Sequence, residues 1–379
     1  MVKHTRKVAI TYSEIAGIYL TFASLPAKLA TRLLLSPWDK ASSQKTWRRV
    51  ISHYAVHYLT HLNIAQLQWI FGNSYDVYVK YTGEVGLPMV IDELDLGAKL
   101  MWIGERNHKR VNIFLHGGAF LVHAPAEGYP FWNWMKGQLK DKGVDTGLAA
   151  LSYALHPEGD YPLPLRQLVV MLNHLIAQGV PPEGITMVGE SAGSNLILML
   201  LSHMLHPIPG VEPFVLPPGR KLGGGYLLSP WISVTGTDVP NSFQENNHTD
   251  ITSADTLIKW GAPVMKAVPQ DQIPYMEASH APDGWFEGSE NLINKILITV
   301  GEFEPLRDSI VSLYERHFKG RKEWAAGADG EERITYCYQP AGNHNDPYYS
   351  FFWGPNPKEF SPLTPTVVDW MYKVHSKVE

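Results

Sequence analysis

The sequence predicts an α/β protein: a mostly parallel central sheet with helices on both faces and a helical cap. Three observations predict it. From Val111 onward, short apolar runs alternate with segments of helical period, the pattern of repeated βα units. Within that series, "ITMVGESAGSNLILMLL" (Ile185 to Leu201) passes from strand to helix through a Gly-x-Ser-x-Gly pentapeptide. A long stretch from about Trp231 to Gly288, rich in Asn, Thr, Asp and Pro, does not fit a single crossover and reads as an excursion over the domain.

Residues 1–70 read as helices. Thr46 to Asn63 carries Val50, Ile51, Tyr54, Val56, Tyr58 and Leu59 in a helical stripe. "YDVYVKYT", from Tyr75, alternates and predicts a strand. "MVIDEL" and "AKLMWIG", joined by "DLG", predict a hairpin at one sheet edge. Strands follow at Val111–Gly118, Gly147–Tyr153, Ile185–Gly189, Gly223–Pro230, Lys295–Gly301 and Arg333–Gln339. A helix is expected after Leu163, where Leu165, Leu168, Val169, Leu172, Leu175 and Ile176 share a face and Gly179 and Pro181 stop it. Others are expected from Ala192, around Ser253–Ala267, after Pro305, and from Thr364 to Lys377. Trp324 to Glu332 reads as a surface loop. The expected division is an N-terminal helical cap region (1–74) and a catalytic domain (75–379) with a cap insertion at 230–290.

Bulk composition narrows the function. The chain is 45% hydrophobic and 18% charged, ordinary for a globular protein. Its 32 basic and 37 acidic residues give a net charge of -5, with no long basic stripe, so nucleic acid is not an expected partner. A single cysteine, Cys337, leaves no internal disulfide and no cysteine-based zinc site. The apolar run Ile15–Ala27 is too short to span a bilayer by itself, and the residues after it stay apolar and basic, so no cleaved leader is expected. Two readings stand for it. One is a helix packed on the domain. The other is a helix in peripheral contact with a membrane, with Lys28 and Arg32 on its polar side, placing the protein in the cytoplasm or peripherally on the endoplasmic reticulum.

The pentapeptide Gly189-Glu190-Ser191-Ala192-Gly193 carries the chemistry. A turn this tight needs small residues two before and two after the serine, and it sets the hydroxyl at a helix N-terminus. There the helix dipole and the Ala192 amide favour a developing oxyanion. "LHGGAF" (Leu115 to Phe120) ends an earlier strand with a glycine pair, so the amides of Gly117 and Gly118 join Ala192 as expected oxyanion donors; His116 is expected to shape the loop. Ser191 needs a base, and the base an orienting acid, in the chain order Ser, acid, His. Of the later histidines, His344 in "PAGNHNDPYY" alone lies in a loop directly after the last strand. Three carboxylates follow the preceding strand: Glu302 abuts its end, Asp308 is already helical, and Glu304 sits in the turn and is chosen.

These segments resemble the hormone-sensitive-lipase-like esterases of the α/β-hydrolase fold, with the arylacetamide-deacetylase and fungal steryl-acetyl-hydrolase branches as neighbours. "HGGAF" sits where that family has its HGGG-type motif. "YALHPEGDYPLPL" (Tyr153 to Leu165) matches its Y-R-L-A-P-E segment. "LLSPW" and "GEFEPLRD" match a strand end and the acid loop, with Glu304 where Asp is commoner. Ala119 replaces a third glycine, and "GNHNDP" replaces the usual His-Gly-Phe. The resemblance covers about Val111 to Pro347 and implies a serine carboxylic-ester hydrolase without metal or organic cofactor. Its substrate would be a small-molecule ester, a small acyl (acetyl) group on a bulky apolar alcohol such as a sterol or terpenoid. Phe120 and Trp231 are the candidates for the pocket lining. Phe131, Trp132, Trp134, Trp260 and Trp285 read either as cap aromatics or as plain core. The alternatives are acyl transfer to an alcohol with the same residues, amidase chemistry, and a non-catalytic ligand receptor, against which the presence of serine, acid and histidine argues.

Overall fold

The structure, a computed structural model, describes residues 8–123, 128–238, 241–326 and 330–378. The first seven residues and the middle of the expected loop at 324–332 lie outside those residues. Four helices come first: α1 (Tyr12–Leu35), α2 (Trp47–Leu59), α3 (Ile64–Phe71) and α4 (Ser74–Val85). The hairpin β1 (Met89–Glu93) and β2 (Lys99–Ile103) is next, then β3 (Val111–Leu115), α5 (Gly128–Asp141), β4 (Gly147–Ser152), α6 (Leu163–Ala177), β5 (Ile185–Glu190), α7 (Ala192–Leu205) and β6 (Leu222–Leu228). The excursion contains α8 (Asn241–Glu245), α9 (Ala254–Met265) and α10 (Ile273–Met276). The chain ends with β7 (Ile293–Gly301), α11 (Arg307–His317), β8 (Ile334–Gln339), α12 (Asp346–Tyr349) and α13 (Leu363–His375).

The eight strands form one sheet in the order β1-β2-β4-β3-β5-β6-β7-β8. β2 pairs antiparallel with β1 and β4, and every other pairing is parallel. Parallel strands need crossover helices, which bury both sheet faces. Alternate residues therefore serve two cores. Ile113, Leu115, Met187 and Leu227 face one with α6 and α7, while Phe114, Val188, Tyr226 and Leu228 face the other with α5 and α13. The sheet brings the C-terminal ends of β3, β5, β6, β7 and β8 to one edge.

Two expectations need correction, and one open alternative is decided. Tyr75–Thr82 is helical, inside α4. Asn73 caps that helix by accepting the Asp76 amide at 2.9 Å, and Gly86 closes it with a φ of 70°. Ser74, Tyr78, Tyr81 and Thr82 are the buried positions, a helical spacing that a run apolar at both parities concealed. Phe131 and Trp132 lie in α5 and are core rather than cap. They pack on Tyr348 and Tyr226 beneath the sheet, and the Trp132 indole N–H donates to the Tyr348 hydroxyl at 2.7 Å. Finally, α1 is 24 residues long and, continued to Trp38, is long and apolar enough to cross a membrane. Its charges do not end it. Lys28 lies 5.0 Å over the Tyr58 ring, and Arg32 lies 4.6 Å over the Tyr54 ring, so α2 accommodates both cations.

Candidate active site

Ser191 occupies the junction of β5 and α7 with φ 51° and ψ -112°, a backbone state that a non-glycine residue holds only when its surroundings impose it. The surroundings do so. A Cβ on Gly193 would lie 1.9 Å from the Leu115 carbonyl oxygen, and one on Gly189 would lie 2.5 Å from the Ser194 nitrogen. The expected smallness of both positions is thus a matter of backbone contact. The Ser191 N–H donates to the Leu228 carbonyl at 2.9 Å, and the Ser191 carbonyl accepts the Trp231 N–H at 3.1 Å. These bonds tie the serine to the end of β6.

His344 lies beyond β8 and is almost fully buried. Its Nδ1 lies 2.8 Å from Glu304 Oε2. Glu304, in the turn after β7, is wholly buried. Its Oε1 accepts the Gly301 N–H at 2.6 Å and the Ser229 hydroxyl at 3.1 Å. Ser229 Oγ also accepts the Asn345 N–H at 3.2 Å, so one residue past β6 links the acid turn to the histidine loop. The rival carboxylates are engaged elsewhere. Glu302 accepts the Ala341 N–H, and Asp308 binds Arg307 and the Ser242 amide. Burial alone would lower the His344 pKa. The hydrogen bond and charge of Glu304, with the charges of Asp250 and Glu190, outweigh burial and hold it above the ordinary histidine value. Among the described residues no hydrogen bond joins Ser191 Oγ to His344 Nε2, a contact that commonly tightens only as the reaction begins.

The loop after β3 meets Ser191 directly: a Cβ on Gly117 would lie 3.1 Å from Ser191 Cβ. One of the three expected oxyanion donors is already committed, because the Gly117 N–H donates to Glu190 Oε1 at 3.0 Å. The loop then coils through Gly118, Ala119 and Phe120, all at positive φ, and Gly118 admits no side chain because Val122 O would lie 2.1 Å from its Cβ. The amides of Gly118, Ala119 and Ala192 donate to no group among the described residues. His116 stacks on Tyr153 at 4.4 Å and contacts Ser74; burial lowers its pKa to about 4, so it is a neutral loop residue.

Phe120 lines a small cleft with His156, Tyr161, Met199, Val264 and Met276. Trp231 is buried with its ring 6.5 Å from Phe120, outside that lining. Trp285 donates to Ser202 Oγ at 3.0 Å and packs on the main core, as does Trp260.

Several contributors were invisible in the sequence. Lys45 and Arg49, from the N-terminal region, bind Asn343 and Asp346 on either side of His344. Asn343 Nδ2 donates to the Thr249 carbonyl at 2.9 Å, and the His344 N–H donates to Asp250 Oδ1 at 3.0 Å. The N-terminal helices and the excursion therefore grip the histidine loop from both sides. No local pattern marks such pairs, which join residues 94 to 298 positions apart.

A sequence profile described as the alpha/beta hydrolase fold matches residues 112–326. A Schizosaccharomyces pombe protein named "Putative steryl acetyl hydrolase mug81" is 26% identical over 166 residues, 43% of this chain, and the chain spans 42% of that protein's length. An acetyl-hydrolase of Streptomyces hygroscopicus is 22% identical over 251 residues, covering 65% of this chain and 75% of the other. Among solved structures, an esterase from the bacterial hormone-sensitive lipase family superposes with a TM-score of 0.62 at 18% identity, covering 88% of this chain and 99% of that one.

Proposed function

Because the chain belongs to the alpha/beta hydrolase fold family, we propose that it is a carboxylesterase-type serine hydrolase acting through Ser191, His344 and Glu304. The observation that carries this reading is the buried His344–Glu304 pair, 2.8 Å apart, at the sheet edge that also holds the strained Ser191. His344 Nε2 takes the Ser191 proton as Oγ bonds to the ester carbonyl carbon. Glu304 holds the Nδ1–H tautomer and stabilises the imidazolium. The amides of Gly118, Ala119 and Ala192 receive the oxyanion. The imidazolium returns its proton to the departing alcohol, leaving an acyl-enzyme that water, deprotonated by His344, then releases. Changing Ser191 to Ala should abolish hydrolysis of nitrophenyl acetate with the melting temperature preserved, and a fluorophosphonate label should map to the peptide holding Ser191. Turnover retained in that variant rules the assignment out.

The acyl group is small, an acetyl, on a bulky apolar alcohol such as a sterol or terpenoid. The printed names of the Schizosaccharomyces and Streptomyces relatives support this. Nitrophenyl esters of increasing chain length test it: acetate should be preferred, and a preference for octanoate or longer defeats it.

The protein also rests on a lipid surface through α1. Glu14 is bound by Asn63, and Lys28 and Arg32 lie over tyrosine rings of α2, so every charge of α1 turns toward the body. The opposite face exposes Tyr12, Tyr19, Leu20 and Leu34, each at least 69% accessible. A soluble helix has the reverse polarity. Docking of α1 along α2 and α3 favours lying on a bilayer over crossing it. Flotation with phosphatidylcholine vesicles should recover the protein, and Leu20→Glu with Leu34→Glu should abolish recovery. Unchanged flotation of that variant refutes the contact.

A further inference from the structure

A second buried carboxyl stands behind His344, and the proton transfers from Ser191 do not use it. Asp250 comes from the excursion between β6 and β7 and is 1% exposed. Its Oδ1 accepts the N–H groups of His344 at 3.0 Å and of Ile251 at 2.8 Å. Its Oδ2 finds no partner among the described residues. Its main-chain carbonyl lies 2.6 Å from His57 Nδ1 of α2. Holding two amides needs only one neutral acceptor oxygen, so an amide side chain would serve that purpose. A buried acid with one unsatisfied oxygen is costly unless its charge has a use.

Resting on the reading of His344 as base, we propose that Asp250 is a positioning residue that fixes the His344 main chain and whose negative charge stabilises the imidazolium formed during attack. The proton moves only from Ser191 Oγ to His344 Nε2; none passes to Asp250. Burial raises the Asp250 pKa to about 7 and the neighbouring Glu304 adds to this, while the charge of His344 opposes it, so acid and base titrate as a coupled pair. The other groups facing the pair are accounted for. Glu304 and Glu190 act on His344 in the same sense as Asp250. Lys45 and Arg49 are bound to Asn343 and Asp346. Burial lowers the pKa of His53 and His57, which stay neutral near pH 7, and His248 lies two residues upstream.

The test is the pH profile of kcat/KM for nitrophenyl acetate, and of the fluorophosphonate labelling rate, in wild type and in Asp250→Asn. Asn keeps the acceptor for both amides and removes the charge. The activity-bearing form has neutral His344, so activity rises with pH through its pKa. Removing a negative neighbour lowers that pKa. The acid limb should move down by about half to one unit, with a plateau roughly 3- to 10-fold lower and KM unchanged. A merely structural role lowers the plateau or the melting temperature and leaves the limb in place, which overturns the proposal. Asp250→Ser gives a second uncharged side chain with the same expectation. Wild type that is neither labelled nor active defeats the esterase reading itself, a distinct result.

Discussion

Glu304→Gln is the most informative single change, because its outcome depends on which oxygen is bonded to which donor. Gly301 N–H and the Ser229 hydroxyl both donate to Oε1. Glutamine must therefore place its carbonyl oxygen there, which turns its amide NH2 toward His344 Nδ1. Two donors cannot face each other, so the imidazole moves its proton to Nε2. The lone pair that should accept the Ser191 proton is then gone. Removal of a charge that raises the His344 pKa acts in the same direction. A wrong tautomer at such a site costs about 10³- to 10⁴-fold in kcat, or about 4–5.5 kcal/mol of transition-state stabilisation. The fold should survive at a cost of about 1–3 kcal/mol, because every former partner still meets a polar atom. Initial rates with nitrophenyl acetate between pH 6 and 9, beside thermal melts, measure both quantities. Glu304→Asp, shorter by roughly 1.5 Å, should restore part of the rate. A well-folded Glu304→Gln enzyme within tenfold of wild type refutes Glu304 as the orienting acid.

Other outcomes rest on single contacts. Gly193→Ala forces a methyl onto the Leu115 carbonyl and should yield insoluble or strongly destabilised protein, read by expression and circular dichroism. Arg49→Ala leaves the buried Asp346 without its cation, and should cost about 3 kcal/mol in urea unfolding while loosening the His344 loop and lowering kcat. Acid should destabilise the protein. The pKa values of His57 and His116 fall to about 4 and that of His375 to about 3, chiefly through burial, so the unfolded chain binds these protons first. Their stabilisation is complete above about pH 6.5 and fades as pH drops toward 4. His344, shifted upward, contributes oppositely: its share is full below about 6.5 and is lost as pH rises through its folded value. His53, His123 and His317 are lowered in the same way, whereas Asp250, raised to about 7, acts with His344; with six groups against two, the melting temperature should fall by several degrees between pH 7 and pH 5, and a flat profile contradicts the neutral burial of these rings.

Much of the fold was legible because its cues are local. The hairpin of β1 and β2, the alternation of later strands and helices, and the serine turn all declare themselves within a dozen residues. Glu304 was the chosen candidate acid because it sits in the turn after β7, and the structure sets it against His344. Where the local cue was ambiguous, reading failed: α4 is apolar at both parities, and its capping by Asn73 decided for a helix. Phe131 and Trp132 announced bulk without address, and only the packing of α5 under the sheet made them core.

By itself, the sequence determined the order of most elements, the tight serine turn, and the candidates for acid and base that come after it, because steric rules of turns and periodicity act on neighbours in the chain. Tertiary structure alone decided that Glu190 occupies the Gly117 amide and leaves Ala119 free. It alone brought Asp250, Lys45 and Arg49 around His344 and turned the charges of α1 inward. Those facts depend on groups that meet across tens to hundreds of residues, up to the pairing of Lys45 with Asn343 at a separation of 298. Folding fixes such contacts by sharing burial and charge among distant segments, and no window of sequence contains both partners.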